Sequence, residues 1–470
     1  MEVFKIYAGG EFIETPLSLL VSNPYNDIAF AQAFLADEKV LQFSSEKAVE
    51  AFKKLKSISA YERYKSLSFI ASEILANEER FAMLIAQEAA KPWKYALAEV
   101  RRAAQTFVVA SEECKRLPME YMRLDWSVEG IGREGLIKYF PIGPIAGISP
   151  FNFPLNLAAH KIAPALAAGC PIVLKPASST PLATLELAKI VDKSGFPKGS
   201  MSILPMNRST GDMLVTSDVF KLLTFTGSSE VGWKMKSRAG KKKVVLELGG
   251  NAGTIITDSA DISHAAKRCV VGGFAYQGQV CIHAQRLFVH KSVFDDFCAE
   301  FLPLVKNLKY GDPLSKDTDI TAMIDEVNAL RVEEWINEAV RDGAELLCGG
   351  KRTGAYVEPT VITNVKPEMK VSCLEIFGPV VTLQPYTDFK EVVDQVNNTN
   401  YGLQAGIFTN NIKELDYAFN EIEAGGVIHN DVPVFRTDHM PYGGVKDSGI
   451  GREGVKYAIH DMLEPKILVR

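Results

Sequence analysis

The sequence predicts an α/β protein in which helices cover both faces of parallel sheets. Short apolar segments alternate with segments of helical composition from about residue 136 to residue 248, and a second block of this kind follows residue 250. This alternation is typical of a parallel sheet wound on both faces. The chain has 470 residues, which is too many for one hydrophobic core, so we expect more than one domain.

The predicted elements follow from apolar periodicity and from the breakers between them. Residues 45–116 predict successive helices, with one amphipathic stretch that begins at Glu62 and continues to Ala90. Strands are predicted at 136–140, 145–149, 172–175, 202–204, 222–226 and 244–248, with helices at 158–168, 182–194 and 229–238. In 261–275 the apolar positions recur with the helical period, which predicts a helix. The chain leaves this helix through Gly278 and reaches Cys281.

Composition excludes several classes of protein. The formal charge of −5 provides no basic footprint, so no nucleic-acid partner is expected. Seven cysteines without paired spacing argue against a disulfide framework and for a reducing, cytoplasmic compartment. The amino-terminal residues lack the apolar core of a signal peptide. Prolines and glycines interrupt the uncharged segment 139–159, so no membrane span is expected there.

One glycine motif is rejected as a nucleotide site. Residues 449–454 read Gly-x-Gly-x-x-Gly, the pattern of dinucleotide-binding turns. No predicted strand precedes this segment, and only 16 residues follow it, too few for the remaining helix, strand and acidic residue. A tight loop is the better interpretation.

Two other strand ends suit a dinucleotide and predict a Rossmann-like cofactor domain. Lys175 ends a predicted strand, where its ammonium can hold ribose hydroxyls. The small, uncharged Ser178 leaves room for a 2′-phosphate and therefore favours NADP over NAD. Thr226, Gly227 and Ser228 join a strand to a helix, where free N–H groups and the helix dipole suit a pyrophosphate. A surface role for Lys175 and a plain turn at 226–228 remain open alternatives.

Three residues form a candidate catalytic set. Cys281 lies in a loop after a helix that ends in glycines, as a nucleophilic thiol would. Glu247 is followed by two glycines, which permit close approach of a ligand, and it can act as a general base. Asn152, bracketed by prolines, offers a rigid amide for an oxyanion. The open alternatives are an inert buried thiol, a strand-end salt bridge and a helix cap, respectively.

These motifs resemble those of the aldehyde dehydrogenase superfamily over nearly the whole chain. The resemblance is carried, in order, by PFNFP at 150–154, KPAS at 175–178, FTGS at 225–228, ELGG at 247–250, GQVC at 278–281 and EIFGP at 375–379. It implies an NAD(P)-binding domain (1–122 and 142–249), a catalytic domain (250–447) and a small β oligomerisation element (123–141 and 455–470). It also implies a homodimer or a homotetramer.

The resemblance also implies roles for single residues. Cys281 forms a thioester with an aldehyde, Asn152 holds the oxyanion, and Glu247 activates water. Glu375 holds the nicotinamide ribose and Phe377 packs beside it. The remaining cofactor contacts are implied for Ser149, Pro150, Ala177, Leu248 and Gly249. No metal is expected, because the histidines show no paired ligand spacing.

The implied substrate is a small polar or anionic aldehyde. Positions that match the family's substrate funnel carry Arg102, His160 and Arg436, with Ile282 next to the nucleophile. Two arginines and a histidine favour charge-assisted hydrogen bonds to an anion, although each could be a structural cation.

The segments 281–286 and 436–444 resemble the lactaldehyde, phosphonoacetaldehyde and non-phosphorylating glyceraldehyde-3-phosphate dehydrogenases. Val280 stands where phosphate-specific relatives carry arginine, which favours lactaldehyde or a monoanionic semialdehyde over a phosphate or phosphonate. Three further alternatives are an acylating enzyme that uses coenzyme A, a non-catalytic cofactor-binding protein and a cysteine peptidase. The peptidase would need a histidine partner for the thiol and no nucleotide site.

Overall fold

A computed structural model describes residues 1–470. The strands are numbered in chain order: β1 Glu2–Phe4, β2 Ile6–Ala8, β3 Glu11–Ile13, β4 Ser18–Asn23, β5 Ile28–Phe34, β6 Met119–Arg123, β7 Glu134–Pro141, β8 Ile145–Ile148, β9 Ile172–Lys175, β10 Met201–Ile203, β11 Leu222–Thr226, β12 Lys243–Glu247, β13 Gly253–Ile256, β14 Arg286–His290, β15 Glu345–Cys348, β16 Arg352–Thr353, β17 Tyr356–Val357, β18 Thr360–Thr363, β19 Val380–Tyr386, β20 Tyr401–Gly402, β21 Ala405–Phe408, β22 Val427–His429, β23 Val445–Lys446, β24 Gly449–Ile450 and β25 Leu463–Val469.

The helices are likewise numbered in chain order. They are α1 Glu38–Leu55, α2 Ala60–Ala76, α3 Glu78–Ala89, α4 Trp93–Glu113, α5 Asn156–Ala168, α6 Leu182–Val191, α7 Arg208–Thr216, α8 Ser229–Arg238, α9 Ile262–Phe274, α10 Phe294–Lys306, α11 Glu326–Arg341, α12 Lys370–Cys373, α13 Phe389–Asn397, α14 Ile412–Glu421 and α15 Val455–Asp461. None of these helices is both long and apolar enough to cross a lipid bilayer.

The first large sheet has the strand order β24-β12-β11-β8-β9-β10-β2-β3. Its five central strands, β12 to β10, are parallel, and the strands at both edges are antiparallel. The carboxyl ends of parallel strands meet at one edge, which is where open α/β sheets bind ligands. Glu247, Thr226 and Lys175 each end one of these strands and therefore lie along that edge.

The second large sheet has the order β15-β18-β19-β14-β13-β21-β22 and is parallel except at β15. Two parallel sheets with helices on their faces confirm the predicted α/β fold. The predicted helix at 261–275 is α9, and the predicted strands from 145 to 248 all form within two residues of their expected bounds.

The segment 136–140 differs from the prediction. It belongs to β7, which lies between β6 and β25 in a separate antiparallel sheet and not in the parallel one. Apolar composition alone does not reveal which sheet a strand joins. The expected division at residue 122 falls inside β6, while the division of the chain into three functional domains stays a prediction.

Two further details correct the predicted elements. The stretch from Glu62 to Ala90 forms two helices, because α2 ends just before Asn77 and α3 begins just after it. Gly449 and Ile450 of the rejected glycine motif form the short edge strand β24 against β12, where a plain loop was expected. The motif does not open a helix after a parallel strand, so its rejection as a nucleotide turn stands.

A buried ion pair ties α4 to the loop before α5. Lys91 and Glu99 are both fully buried and contact each other. Lys91 also donates to the backbone oxygen of Asn152, while Glu99 accepts from the N–H groups of Leu155 and Asn156 at 2.9 and 3.1 Å. One pair thus fixes both the Asn152 loop and the first turn of α5.

We predict that Glu99→Ala destabilises the protein strongly. The change leaves the Lys91 ammonium buried without a counter-charge, and breaking such a pair costs about 3–5 kcal/mol. Denaturant unfolding followed by circular dichroism measures the loss. Glu50→Ala, which breaks an exposed ion pair with Lys47, is the control and should leave the transition where it is. Equal transitions for the two variants would contradict the prediction.

Candidate active site

A cavity of about 530 Å³ lies at the carboxyl edge of the first sheet. The predicted site residues that line it are Pro150, Asn152, Thr226, Gly227, Ser228, Glu247, Leu248, Gly249, Cys281, Glu375 and Phe377. These residues come from widely separated parts of the chain, and the fold brings them to one place. The other predicted residues lie behind or beside this cavity.

The loop that carries Cys281 has an unusual backbone. Tyr276, Gln277 and Gly278 follow one another with φ values of 49°, 54° and 66°, in the left-handed region. A Cβ on Gly278 would lie 2.2 Å from the backbone oxygen of Gly378, so only glycine fits there. Strained backbone of this kind is found where the surrounding structure fixes a functional side chain.

Cys281 is half-buried, and its sulfur lies 2.9 Å from the hydroxyl of Tyr442. Burial raises the pKa of the Cys281 thiol to about 12, while the hydrogen bond to Tyr442 acts to lower it. Val280, Ile282 and Leu403 form an apolar cluster around the thiol. Ile282 is therefore next to the nucleophile, in this cluster and not on the cavity wall.

Asn152 is buried, and its amide nitrogen donates to the backbone oxygen of Gln279 at 2.9 Å. Gln279 lies two residues before Cys281, so the amide contacts the nucleophile loop. The alternative role as a helix cap is wrong, because the residue that precedes α5 is Leu155 and no side chain caps that helix.

Glu247 is buried at the end of β12. Its Oε1 accepts from the backbone N–H of Glu453 at 3.3 Å, and its Oε2 has no partner. It forms no ion pair of its own, so a strand-end salt bridge is the wrong interpretation. Burial and then the Glu453 carboxylate raise the pKa of Glu247 well above its usual value. Glu247 therefore holds its proton more tightly than an exposed glutamate does.

The expected adenosine end of the cofactor site follows β8 and β9. The backbone N–H of Ser149 donates to the backbone oxygen of Lys175 at 3.0 Å, so the two strand ends are adjacent. Lys175 is partly buried, and burial, together with the charge of Arg208, lowers its pKa. It is therefore not a free surface lysine. Ala177 and Ser178 follow on the loop, where Ser178 is exposed.

Gly249 leaves the space that the carboxylate of Glu375 occupies. Glu375 accepts from the backbone N–H of Gly250 at 3.0 Å, and a Cβ on Gly249 would lie 2.1 Å from its carboxylate. Burial raises the pKa of Glu375 to about 7. Phe377 has a φ of 44° and packs edge-on against Phe151 with ring centroids 5.8 Å apart. This carboxylate therefore has a fixed place on the cavity wall.

The three predicted substrate cations lie close together and connect to Cys281 through Tyr442. Arg102 and His160 both contact the Oδ1 of Asp438 at 2.9 Å. Arg436 contacts Glu453 at 3.0 Å, and its guanidinium lies 3.6 Å from the centroid of the Tyr442 ring. None of the three lines the cavity that contains Cys281. Arg436 connects to it through Tyr442.

The pKa values of this cluster favour charged carboxylates and a neutral histidine. Burial alone would raise the pKa of Asp438, but the contacts with His160 and Arg102 hold it well below its usual range. Burial and the charge of Arg436 lower the pKa of His160. The cluster therefore holds fixed carboxylate charges beside permanent cations.

Sequence analysis missed Lys161 and Glu453. Lys161 is fully buried and donates to the hydroxyls of Thr226 and Thr224 at 2.6 and 3.2 Å and to Glu453 at 3.2 Å. A lysine on the mostly apolar helix α5 was an available signal. Glu453 lies inside the glycine motif at 449–454, and rejecting that motif also discarded a site residue.

Other missed residues line the cavity. They are Phe151, Leu157, Glu230, Asn328, Arg331 and Trp335. Three of them lie on the amphipathic helix α11, whose sequence carries no local sign of a site. No group of three or more histidine, cysteine or acidic side chains is arranged to hold a metal, and all seven cysteines are free.

The fold and the site together define an oxidoreductase class. The model of the aldehyde dehydrogenase family matches residues 14–468, and the chain belongs to that family. It is therefore an enzyme of the class that oxidises aldehydes, and the predicted family is confirmed.

Relatives and solved structures refine the placement within the family. The chain is 41% identical over 467 residues to the 3-sulfolactaldehyde dehydrogenase of Priestia megaterium, covering 99% of this chain and 98% of the relative. It is 38% identical over 471 residues to the lactaldehyde dehydrogenase of Methanococcus aeolicus, covering 99% of both. The predicted nearest group is thus confirmed.

Among solved structures, aldehyde dehydrogenase 21 of Physcomitrella patens, in complex with the reaction product succinate, has a TM-score of 0.98 and 48% identity, covering 100% of this chain and 98% of that one. The glyceraldehyde-3-phosphate dehydrogenase GapN of Methanocaldococcus jannaschii, complexed with NADP, has a TM-score of 0.92 and 36% identity, covering 96% and 98%.

We predict that Gly278→Ala displaces the Cys281 loop. The added carbon would meet the backbone oxygen of Gly378 at 2.2 Å, so alkylation of Cys281 by iodoacetamide should slow about tenfold or more. Gly240→Ala is a matched control, because Gly240 has a φ of 65° and nothing within 4 Å of an added Cβ. If both variants react at the same rate, the close contact does not position the thiol.

Proposed function

We propose that this enzyme oxidises a small monoanionic aldehyde to its carboxylate, with NADP or NAD as hydride acceptor and a thioester on Cys281. One observation carries the proposal. Cys281, Glu247 and Asn152 line a single cavity together with the expected pyrophosphate and nicotinamide-ribose contacts, and Tyr442 joins that cavity to a cationic cluster. The same cavity can thus hold nucleophile, base and cofactor, with an anion site next to it.

The chemistry follows from three side chains. The Cys281 thiolate attacks the aldehyde carbon, and a carbonyl oxygen becomes an oxyanion. Asn152 uses one amide hydrogen for Gln279, so its second hydrogen is free for that oxyanion. The bound nicotinamide supplies the hydride acceptor. Glu247, once deprotonated, then takes a proton from water, which attacks the thioester and releases the acid.

The residues along the sheet edge fit a dinucleotide. Lys175 and Ser178 would hold the ribose of the adenosine, and the N-terminus of α8 at Thr226, Gly227 and Ser228 would face the pyrophosphate. Ser228 precedes α8 and makes no side-chain cap, so its N-terminal N–H groups stay available. Glu375 would hold the second ribose.

NADP is favoured over NAD on two grounds. Ser178 places no carboxylate where the 2′-phosphate would lie, and Arg208 adds a cation close enough to lower the pKa of Lys175. The structure of GapN, at 36% identity, contains NADP. Arg208 was not identified from the sequence, because it begins α7, far from the Lys175 motif.

Charge balance favours a substrate with one negative charge. Arg102, Arg436 and Lys161 are opposed by two carboxylates, those of Asp438 and Glu453. The lowered pKa of His160 favours its neutral imidazole, and burial and the Glu453 carboxylate raise the pKa of Glu247. The three cations outnumber these two carboxylates by one, so a bound anion with a single charge would be stabilised next to them.

The arginines also have unused donors. The Nε atoms of Arg102 and Arg436 are buried without an acceptor. Buried polar groups are normally hydrogen-bonded, so two orphaned guanidinium donors suit the oxygens of a bound carboxylate or sulfonate. The substrates of two similar proteins also carry one such anionic group. 3-Sulfolactaldehyde bears a sulfonate, and an aldehyde whose product is succinate bears one carboxylate.

The alternatives receive less support. Val280 is packed among apolar side chains and adds no cation beside the nucleophile for a phosphate or phosphonate dianion. An acylating enzyme that uses coenzyme A does not need Glu247, which is buried on the cavity wall with a free oxygen. A non-catalytic role would leave the strained loop before Cys281 without a purpose.

We also propose that the enzyme acts in the cytoplasm as a homodimer or homotetramer. Seven free cysteines fit a reducing compartment. The small sheet of β6, β7 and β25 exposes Met119, Tyr121 and Leu468, a suitable surface for a second copy. β7 and β25 lie within the expected oligomerisation element (123–141 and 455–470), whereas most of β6 precedes it.

An aldehyde panel tests the proposed function. Succinic semialdehyde, lactaldehyde and 3-sulfolactaldehyde should produce NADPH absorbance, with weaker activity for NAD and for glyceraldehyde 3-phosphate. Cys281→Ser should lower the rate about a thousandfold or more, because a hydroxyl is a far weaker nucleophile. If no aldehyde produces reduced cofactor, the proposed function is wrong. A rate that depends on coenzyme A would favour the acylating alternative.

We predict that Arg436→Leu acts selectively on anionic substrates. Loss of a charge-assisted hydrogen bond of about 1.5–3 kcal/mol should lower kcat/KM for succinic semialdehyde roughly 10- to 100-fold. Propanal is the matched neutral substrate and should change by no more than about threefold. Equal losses for both aldehydes would show that Arg436 is only structural.

A further inference from the structure

The hydroxyl of Tyr442 is the only side-chain hydrogen-bond partner of the Cys281 sulfur, at 2.9 Å. Its position does not depend on that contact. The backbone of Tyr442 exchanges two hydrogen bonds with that of Glu453, at 3.0 and 2.6 Å. The guanidinium of Arg436 covers the ring. Tyr442 is itself buried, so its hydroxyl has a fixed direction.

We propose that Tyr442 is a further catalytic residue of this enzyme, whose hydroxyl donates its hydrogen to the Cys281 thiolate and stabilises the nucleophile. The inference rests on the proposed role of Cys281. It assigns a task to a residue that the reaction steps above do not use. Thiol ionisation sends the sulfur's proton to solvent in the cavity, and the phenol keeps its own proton throughout.

The surroundings of the thiol make this donor necessary. Burial raises the pKa of Cys281 to about 12, and the carboxylates of Glu375 and Glu247 also raise it. Tyr442 and Arg436 lower it. Burial and the neighbouring thiolate raise the pKa of Tyr442 well above its usual value, so the phenol remains protonated and able to donate.

Stabilising the thiolate accelerates attack only under one condition. Lowering a thiol pKa by about one unit raises the thiolate fraction tenfold, whereas nucleophilicity falls by roughly threefold. The net gain is therefore about threefold as long as the pKa lies above the working pH. The buried Cys281 thiol meets that condition.

Arg436 links this donor to the anion site. A cation over an aromatic face makes the phenol a stronger donor, and the guanidinium lies 3.6 Å from the ring centroid. One arginine therefore contacts the nucleophile's hydrogen-bond donor and has an orphaned Nε for the substrate anion.

The test is the reaction of Cys281 with iodoacetamide as a function of pH, followed by mass spectrometry in the enzyme without aldehyde. Tyr442→Phe removes only the hydroxyl. We expect Tyr442→Phe to be alkylated about threefold more slowly at each pH below the pKa of the thiol. The titration of the thiolate, followed by absorbance at 240 nm, should move to higher pH by about one unit. Tyr7 does not line the cavity, and its hydroxyl contacts Asp192 at 2.8 Å, so the control variant Tyr7→Phe should match the unmodified enzyme.

A Tyr442→Phe variant that binds NADP normally and titrates like the unmodified enzyme would overturn the inference. Should that variant fail to bind NADP, 3-fluorotyrosine at position 442 decides instead, because it keeps the ring and strengthens the donor. It should move the thiolate titration to lower pH, and an unchanged titration would again overturn the inference. Alkylation of Cys281 does not require aldehyde oxidation, so it tests the role of Tyr442 separately. Failure of the proposed function would instead appear in the aldehyde panel.

Discussion

The buried carboxylate of Glu453 is the interaction on which the arrangement of the site depends. It accepts from Lys161 on α5 and from Arg436 on the loop after β22, so it supplies the counter-charge for two buried cations. Its backbone N–H contacts Glu247, and its backbone also fixes Tyr442. Glu453 thereby sets the charge near Glu247 and the position of the Tyr442 ring beside the Cys281 thiol. Removing a buried counter-charge is costly, so this geometry is strongly fixed.

Close backbone approach is the second constraint. Gly249 leaves room for the Glu375 carboxylate, and Gly278 passes against the oxygen of Gly378. In both places a single methyl group would occupy space that a site atom already fills. The cavity is therefore shaped by the absence of side chains as much as by the residues that line it.

Much of the fold and the central site could be read from local patterns. Alternating strands and helices predicted the first sheet because buried parallel strands are continuous apolar runs. The motifs around Cys281, Glu247 and Asn152 were found because each combines a reactive side chain with glycines or prolines that fix the backbone. The strand at 136–140 was misplaced, since its apolar composition fits an antiparallel sheet equally well.

The sequence alone determined the α/β class and the aldehyde dehydrogenase family and predicted a candidate catalytic set, because those depend on short-range order along the chain. Only the tertiary structure decided how charges pair. Lys161 and Glu453 are 292 positions apart, and Arg102 meets Asp438 across 336 positions. Ion pairing in a buried site depends on distances in space and on loss of solvent, and neither is recorded in the order of residues.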